Sequence, residues 1–163
     1  MVRLSAKKKE TPRLRIRKAR VGDVPKIREL IRFYADRELM LHRSLNEIYE
    51  CVRDYWLCEK EGQIVGCAAL HVDWEDLAEV RSVAVAEKHQ GHSIGPRLLK
   101  RCVREAKQLG IGRVFALTYL PAFFEKYGFR QYPKEKLPRK IWSDCIRCHK
   151  FPDCDETALV LDV

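Results

Sequence analysis

The segment VRSVAVAEKHQGHSIGPRLLKRCVREAKQLGIGRVFALTY, residues 80 to 119, constrains the fold more than any other part of the chain. A strand-like run, VRSVAVA, gives way to a junction with glycines at 91 and 95. An apolar helix follows to Leu109, and then a second strand-like run, RVFALTY. Strand, helix and strand in that order need a crossover, which makes the two strands parallel neighbours in one sheet. The expected class is therefore α/β, a central mixed β-sheet flanked by helices.

The rest of the chain supplies the other layers. LRIRKA alternates as a strand does, and VGDVPKIRELIRFYADREL is helical, with Asp23 as N-cap, Pro25 in the first turn and apolar residues at 24, 27, 30, 31 and 34. SLNEIYECV reads as a shorter helix capped by Ser44, and YWLCEKEGQIVGCAALHVD as two strands turning at Glu61-Gly62. In DLAEVRSVAVA, Leu77, Val80, Val83 and Val85 depart from strict alternation as a bulge would make them. A short helix, PAFFEKY, the segment GFRQY and a terminal strand in TALVLDV complete the order.

A bare backbone where a helix begins has a chemical use. The first turn of a helix carries N–H groups without intrahelical acceptors and the positive end of the macrodipole, so it receives anions once side chains are kept clear. Gly91 and Gly95 keep them clear, Arg97 can add a charge, and Pro96 loses nothing by lacking an N–H there. A phosphate is the guest this favours; the plain alternative is a tight turn. Pro96-Arg97 denies a Walker A loop its Lys-Ser/Thr, and Gly91-His92-Ser93 denies a dinucleotide fingerprint its G-x-G start.

Charge and cysteine content set the context. Of 163 residues, 32 are Lys or Arg and 23 Asp or Glu, a net +9; residues 1 to 20 hold nine of the cations and one acid, which leaves the remainder near +1. Residues 1–12 are therefore read as a basic flexible tail and 13–163 as one domain, with a nearly neutral body that speaks against a nucleic-acid partner. No apolar run serves as a signal or membrane segment, and seven cysteines without a secretory signal point to a reducing, cytoplasmic setting. Cys51, Cys58, Cys67 and Cys102 fall in apolar segments and read as small core residues.

QGHSIG after VRSVAVA resembles the Q/R-x-x-G-x-G/A signature of the GNAT acyltransferase superfamily, and FFEKYGF resembles the short helix and turn after its fifth strand. The resemblance implies a GNAT-like fold in which Gln90, Gly91, His92, Ser93, Ile94, Gly95, Pro96 and Arg97 cradle the pyrophosphate of acetyl-CoA. One signature glycine falls on Ser93, which implies a rearranged contact there. LAEVRSVAV, RVFALTYLPAFFEKYGF, LPRKIWSDCIRCHKFPDCDE, ALVLDV and LMLHRS are similar, more narrowly, to the short single-domain form of the N-acetylglutamate synthase family. That likeness covers nearly everything after the tail. It implies acetyl transfer from acetyl-CoA to the α-amino group of L-glutamate, at the start of arginine synthesis, without a metal.

Such a transfer needs a base, donors for a developing oxyanion, and alignment of amine with thioester. The resemblance assigns Glu79 as base, a residue that by itself would read as a solvent-facing strand carboxylate. It lays the backbone of Ser82, Val83 and Val85 along the pantetheine arm. Superfamily members often place a proton-donating tyrosine in F-Y-E-K; here that position is Phe124, assigned to cofactor contact. Tyr119 and Tyr127 remain as donors or as packing, and a thiolate of pKa about 8 to 9 leaves without full protonation. For an amino-dicarboxylate, Arg43 with Leu41 beside it matches a substrate-binding position of the family, and Arg81 and Arg147 are further cations.

DCIRCHKFPDCDE spaces Cys145, Cys148 and Cys154 as C-x2-C-x5-C beside His149. Zinc ligation competes with a substrate-covering loop of reduced cysteines; the adjacency of Cys148 and His149 makes joint ligation awkward and favours the loop. Glutamine or another small amine as acceptor, a zinc-stabilised nucleic-acid module, and a homodimer are the alternatives left open.

Overall fold

The computed structural model describes residues 13–137 and 144–163; the tail read over residues 1–12 lies outside them. Seven strands, β1 (Leu14–Lys18), β2 (Tyr55–Lys60), β3 (Gln63–Trp74), β4 (Leu77–Val85), β5 (Arg113–Thr118), β6 (Arg130–Gln131) and β7 (Thr157–Asp162), form one sheet in the order β1-β2-β3-β4-β5-β7-β6. The β4–β5 pair is parallel, as the crossover requires, and the others are antiparallel. The β2–β3 hairpin turns at Glu61 and Gly62, both at positive φ (51° and 76°), the geometry that suits a two-residue loop to twisted strands.

Among the described residues, helices α1 (Val24–Ala35), α2 (Leu45–Glu50), α3 (Ile94–Gln108) and α4 (Pro121–Glu125) cover the faces. The buried stripe of α3, with Ile94, Leu98, Leu99, Cys102 and Ala106, packs with Phe124 and Phe129 on Val65, Ala68, Leu70, Ala78 and Val80. The opposite face meets α1 and α2 through Val24, Ile27, Leu30, Ile31 and Ile48, over Leu57, Cys67, Ala69 and Ala84. Gly66 permits the approach of α3: a Cβ there would stand 2.9 Å from Ile94 Cγ2 and 3.2 Å from Leu98 Cδ1.

Ser44 caps α2 as expected, its Oγ accepting from the Glu47 N–H while Glu47 accepts from the Ser44 N–H at 2.7 Å. Asp23 precedes α1 but does not cap it with its side chain. Arg17 donates to both of its carboxylate oxygens, at 2.7 and 3.0 Å, and the Arg20 N–H donates at 2.7 Å. A bidentate arginine outcompetes the helix N–H groups for that carboxylate, which holds it below the usual range. Cys58, Cys67 and Cys102 are core residues, but Cys51 is only half-buried, and all seven cysteines are free thiols.

Candidate active site

Two irregularities of β4 make the site. Between Cys67–Ala69 of β3 and Arg81–Ala84 of β4 the register slips by one residue, a bulge in which Ser82 adopts φ 55°. The extra residue resets the alternation, so Ala78 and Val80 before it and Val83 and Val85 after it all pack on the α3 side. β4 pairs with β5 only from Leu77 to Glu79, opposite Arg113 to Phe115, although both strands continue. Beyond that point they part, and the backbone from Val80 onward has no β5 partner.

The helix start lies beside this gap. Ser93, where the family signature has glycine, sits at φ 59°, ψ 24°, so it takes the left-handed backbone that glycine would take more easily, and the chain enters α3 without a side-chain cap. Gly91 is at φ 78° with open space where a Cβ would go, and a Cβ on Gly95 would reach 3.5 Å from the Phe123 ring. Ile94 turns into the core, so only its backbone is available, while His92 and Arg97 are exposed and lie off the cavity wall. Gln90, Gly91, Ser93, Gly95 and Pro96 do line it.

The cavity encloses about 1140 Å³ and runs from this cradle past Ser82, Val83 and Val85 to Glu79, Arg81 and Arg43. An exposed backbone edge, a side-chain-free helix N-terminus and adjoining apolar walls suit a pantetheine arm ending in a pyrophosphate. Glu79 is withdrawn, with 13% of its side chain exposed, and Arg81 Nη1 is 3.7 Å from its Oε2. Burial raises the Glu79 pKa, against the opposing pull of Arg81, Arg43 and His71. Arg43 Nη1 also lies 3.7 Å from Glu47 Oε1, and Leu41 and the exposed Arg147 complete this end.

The aromatic assignments divide. Phe124 is 5% exposed and belongs mainly to the core, edge-on to Phe123 and Phe129; Phe123, half-buried beside Gly95, presents the freer ring to the cavity. The Tyr119 hydroxyl donates to Asp155 Oδ1 at 2.8 Å and receives a hydrogen bond from Lys150, so it is already engaged. Tyr127 packs its ring on Phe123 and lines the cavity. Cys145, Cys148, Cys154 and His149 also line it; the triplets of ligand atoms that converge among the described residues are Cys51–Asp54–His71 and His71–Asp73–Asp144, neither drawn from the cysteine motif.

Tyr34, His71, Asp73 and Phe123 escaped the sequence reading. Tyr34, in the apolar stripe of α1, donates its hydroxyl to the Val85 carbonyl and accepts from Gln90 Nε2 at 2.7 Å, tying α1 to β4 and the junction. Asp73 is 7% exposed, and its Oδ2 has no hydrogen-bond partner among the described residues. Burial, aided by Glu79, pushes its pKa up to about 7. The signal was present in HVDW, whose ionisable residues interrupt an otherwise apolar strand.

A bulged strand splayed from its parallel neighbour over a bare helix start defines an enzyme that holds an acyl thioester in the gap. The chain belongs to the acetyltransferase (GNAT) family, which residues 24–129 match, and it is an acetyl-CoA-dependent N-acetyltransferase. It is 37% identical over 145 residues to an uncharacterized N-acetyltransferase of Chlorobaculum tepidum, covering 89% of this chain and 94% of that one. With the amino-acid acetyltransferase of Mycobacterium tuberculosis it shares 36% identity over 137 residues, 82% of this chain and 78% of the relative. Among solved structures, the N-acetylglutamate synthase of Neisseria gonorrhoeae complexed with coenzyme A and N-acetyl-glutamate superposes with a TM-score of 0.82 at 29% identity, over 94% of this chain and 36% of that one.

Proposed function

We propose that the protein acetylates the α-amino group of L-glutamate by direct transfer, with Glu79 as general base. The observation that carries this reading is that Arg43, Arg81 and Arg147 line the same cavity as Glu79 and the β4 bulge, so two carboxylates and an amine can be held together beside the thioester. Arg43 and Arg147 take the carboxylates, Arg81 holds Glu79 and adds positive potential, and Glu79 removes the ammonium proton directly or through one water. Backbone N–H groups at the Ser82–Val83 bulge face the thioester oxygen and stabilise the charge that develops on it. Acetyl-CoA supplies an activated acyl group whose thiolate is a competent leaving group. Tyr127 is better placed than Tyr119 to protonate that thiolate, because Tyr119 is bound to Asp155 and Lys150. The solved Neisseria synthase, complexed with coenzyme A and N-acetyl-glutamate, supports the choice of amino acid.

The test is product detection by mass spectrometry after incubation with acetyl-CoA and, separately, glutamate, glutamine, aspartate, ornithine and lysine. N-acetylglutamate as the dominant product is expected. Preference for glutamine would retain the base and overturn the assignment of Arg43 and Arg147 to a side-chain carboxylate.

A further inference from the structure

His71 stands directly opposite Glu79 in the β3–β4 register. Paired residues of an antiparallel ladder share a face with their Cβ atoms about 4.5 to 5.5 Å apart, and both side chains line the cavity. The His71 Nδ1 lies 2.7 Å from Asp54 Oδ2, in the turn between α2 and β2. Side-chain exposure is 13% at Glu79 and about twice that at His71 and Asp54, 28% and 25%. We propose that Asp54 and His71 are a positioning pair that carries the proton away from Glu79 after each transfer, an inference that rests on Glu79 being the base.

Proton balance creates the need. An ammonium substrate and a thioester give an amide, a neutral thiol and one surplus proton per turnover. The base is nearly sealed from water, and its burial favours the protonated form, so without an outlet it stays loaded. An Asp54 carboxylate accepting from Nδ1–H leaves His71 Nε2 as an acceptor. The proton passes from the Glu79 carboxyl to Nε2, and the imidazolium so formed, held by Asp54, releases it to solvent. The ionisable groups around the imidazole are Glu79 and Arg81 of β4, Asp73 of β3, Cys51 and Asp54 before β2, Arg43 before α2, and Asp144 of the C-terminal segment. Four of these seven are carboxyls against two arginines, which favours a passing positive charge.

The experiment measures kcat and KM across pH for the full chain with the amine it acetylates best, in wild type, His71→Ala, His71→Gln, Asp54→Asn and Glu79→Gln. The two His71 variants and Asp54→Asn are expected to lose about 10- to 100-fold in kcat while KM for acetyl-CoA stays within about twofold. Added imidazole should restore His71→Ala increasingly as pH rises and more of it is free base, and should leave Glu79→Gln unrestored. Near wild-type kcat in His71→Ala, or a loss with neither imidazole dependence nor a changed pH profile, overturns the outlet. So does activity removed by a chelator and returned by zinc, which would make His71, Asp73 and Asp144 metal ligands. Wild-type turnover in Glu79→Gln would instead overturn the base reading beneath it; slow Glu79→Gln beside fast His71→Ala would sink the outlet alone.

Discussion

Arg81 lies two residues from Glu79 on β4, its Nη1 3.7 Å from the Glu79 Oε2, with 12% and 13% of the two side chains exposed. The arginine restrains a carboxyl that burial would otherwise keep protonated. Glu79→Gln is expected to lower turnover about 10²- to 10⁴-fold with acetyl-CoA binding nearly intact. As the proposed base, Glu79 works only deprotonated, and its pKa is raised, so wild-type kcat is expected to fall with decreasing pH at a midpoint above the ordinary glutamate range. Arg81→Gln moves that midpoint higher still, so its activity is lost first at low pH and recovered by raising pH. A kcat–pH profile superposing on wild type would refute the coupling.

Gly91 tests the cradle apart from the chemistry. At φ 78° with open space around it, Gly91→Val meets no steric neighbour but forces a β-branched residue into the left-handed region, at a cost of about 1 to 2 kcal/mol per residue. The junction rearranges, and acetyl-CoA affinity should fall roughly tenfold, with the melting temperature of the apoprotein lowered by about 2 to 8 °C, as that cost implies. Calorimetric titration with acetyl-CoA reads the first and thermal unfolding the second; unchanged affinity would remove Gly91 from the cofactor site.

Arg43 tests the acceptor end. Arg43→Ala should raise KM for the amino acid about tenfold or more, as loss of a charge-assisted contact does, and leave KM for acetyl-CoA unchanged. Equal effects on both constants would mean that the variant disturbs the cavity rather than the substrate.

Gly66 tests the packing of α3. An alanine Cβ would lie 2.9 Å from the Ile94 Cγ2, and a β-branched neighbour at a helix start has little rotamer freedom with which to yield. Gly66→Ala is expected to destabilise by about 1 to 3 kcal/mol, read as a lower urea midpoint with the slope unchanged. A midpoint equal to wild type would show that α3 shifts freely.

Asp73 gives stability a pH dependence of predictable sign. Its pKa rises from 3.8 to about 7 on folding, so the folded state binds more protons between those values and stability falls as pH rises through that window. Asp73→Asn removes the term: little gain is expected at pH 4, and a gain of up to about 4 kcal/mol at pH 8. Thermal unfolding of both proteins at the two pH values measures it, and parallel shifts would disprove it.

Much of the architecture was legible because its signals are local. The crossover from VRSVAVA to RVFALTY dictated a parallel β4–β5 pair, and Ser44 with Glu47 marked α2. The broken spacing of Leu77, Val80, Val83 and Val85 marked the bulge, and Gly91 with Gly95 marked the helix start. The element order and the side-chain-free start of α3 follow from residue type and spacing, which act over a few residues, whereas Glu79 and the arginines of the cavity rest on the family resemblance.

What only the tertiary structure decided are relations between distant segments. Periodicity assigns a residue to a face of its own element but not to the partner opposite it. His71 meets Glu79 because a bulged register pairs β3 with β4, and Tyr34 reaches Val85 because α1 crosses that strand's end. Phe124 turns inward while Phe123 meets the cavity, since adjacent residues on a single helical turn face different neighbours. Asp23 went to Arg17 rather than to the helix it precedes, because a guanidinium offers two aligned donors where the helix offers separate N–H groups.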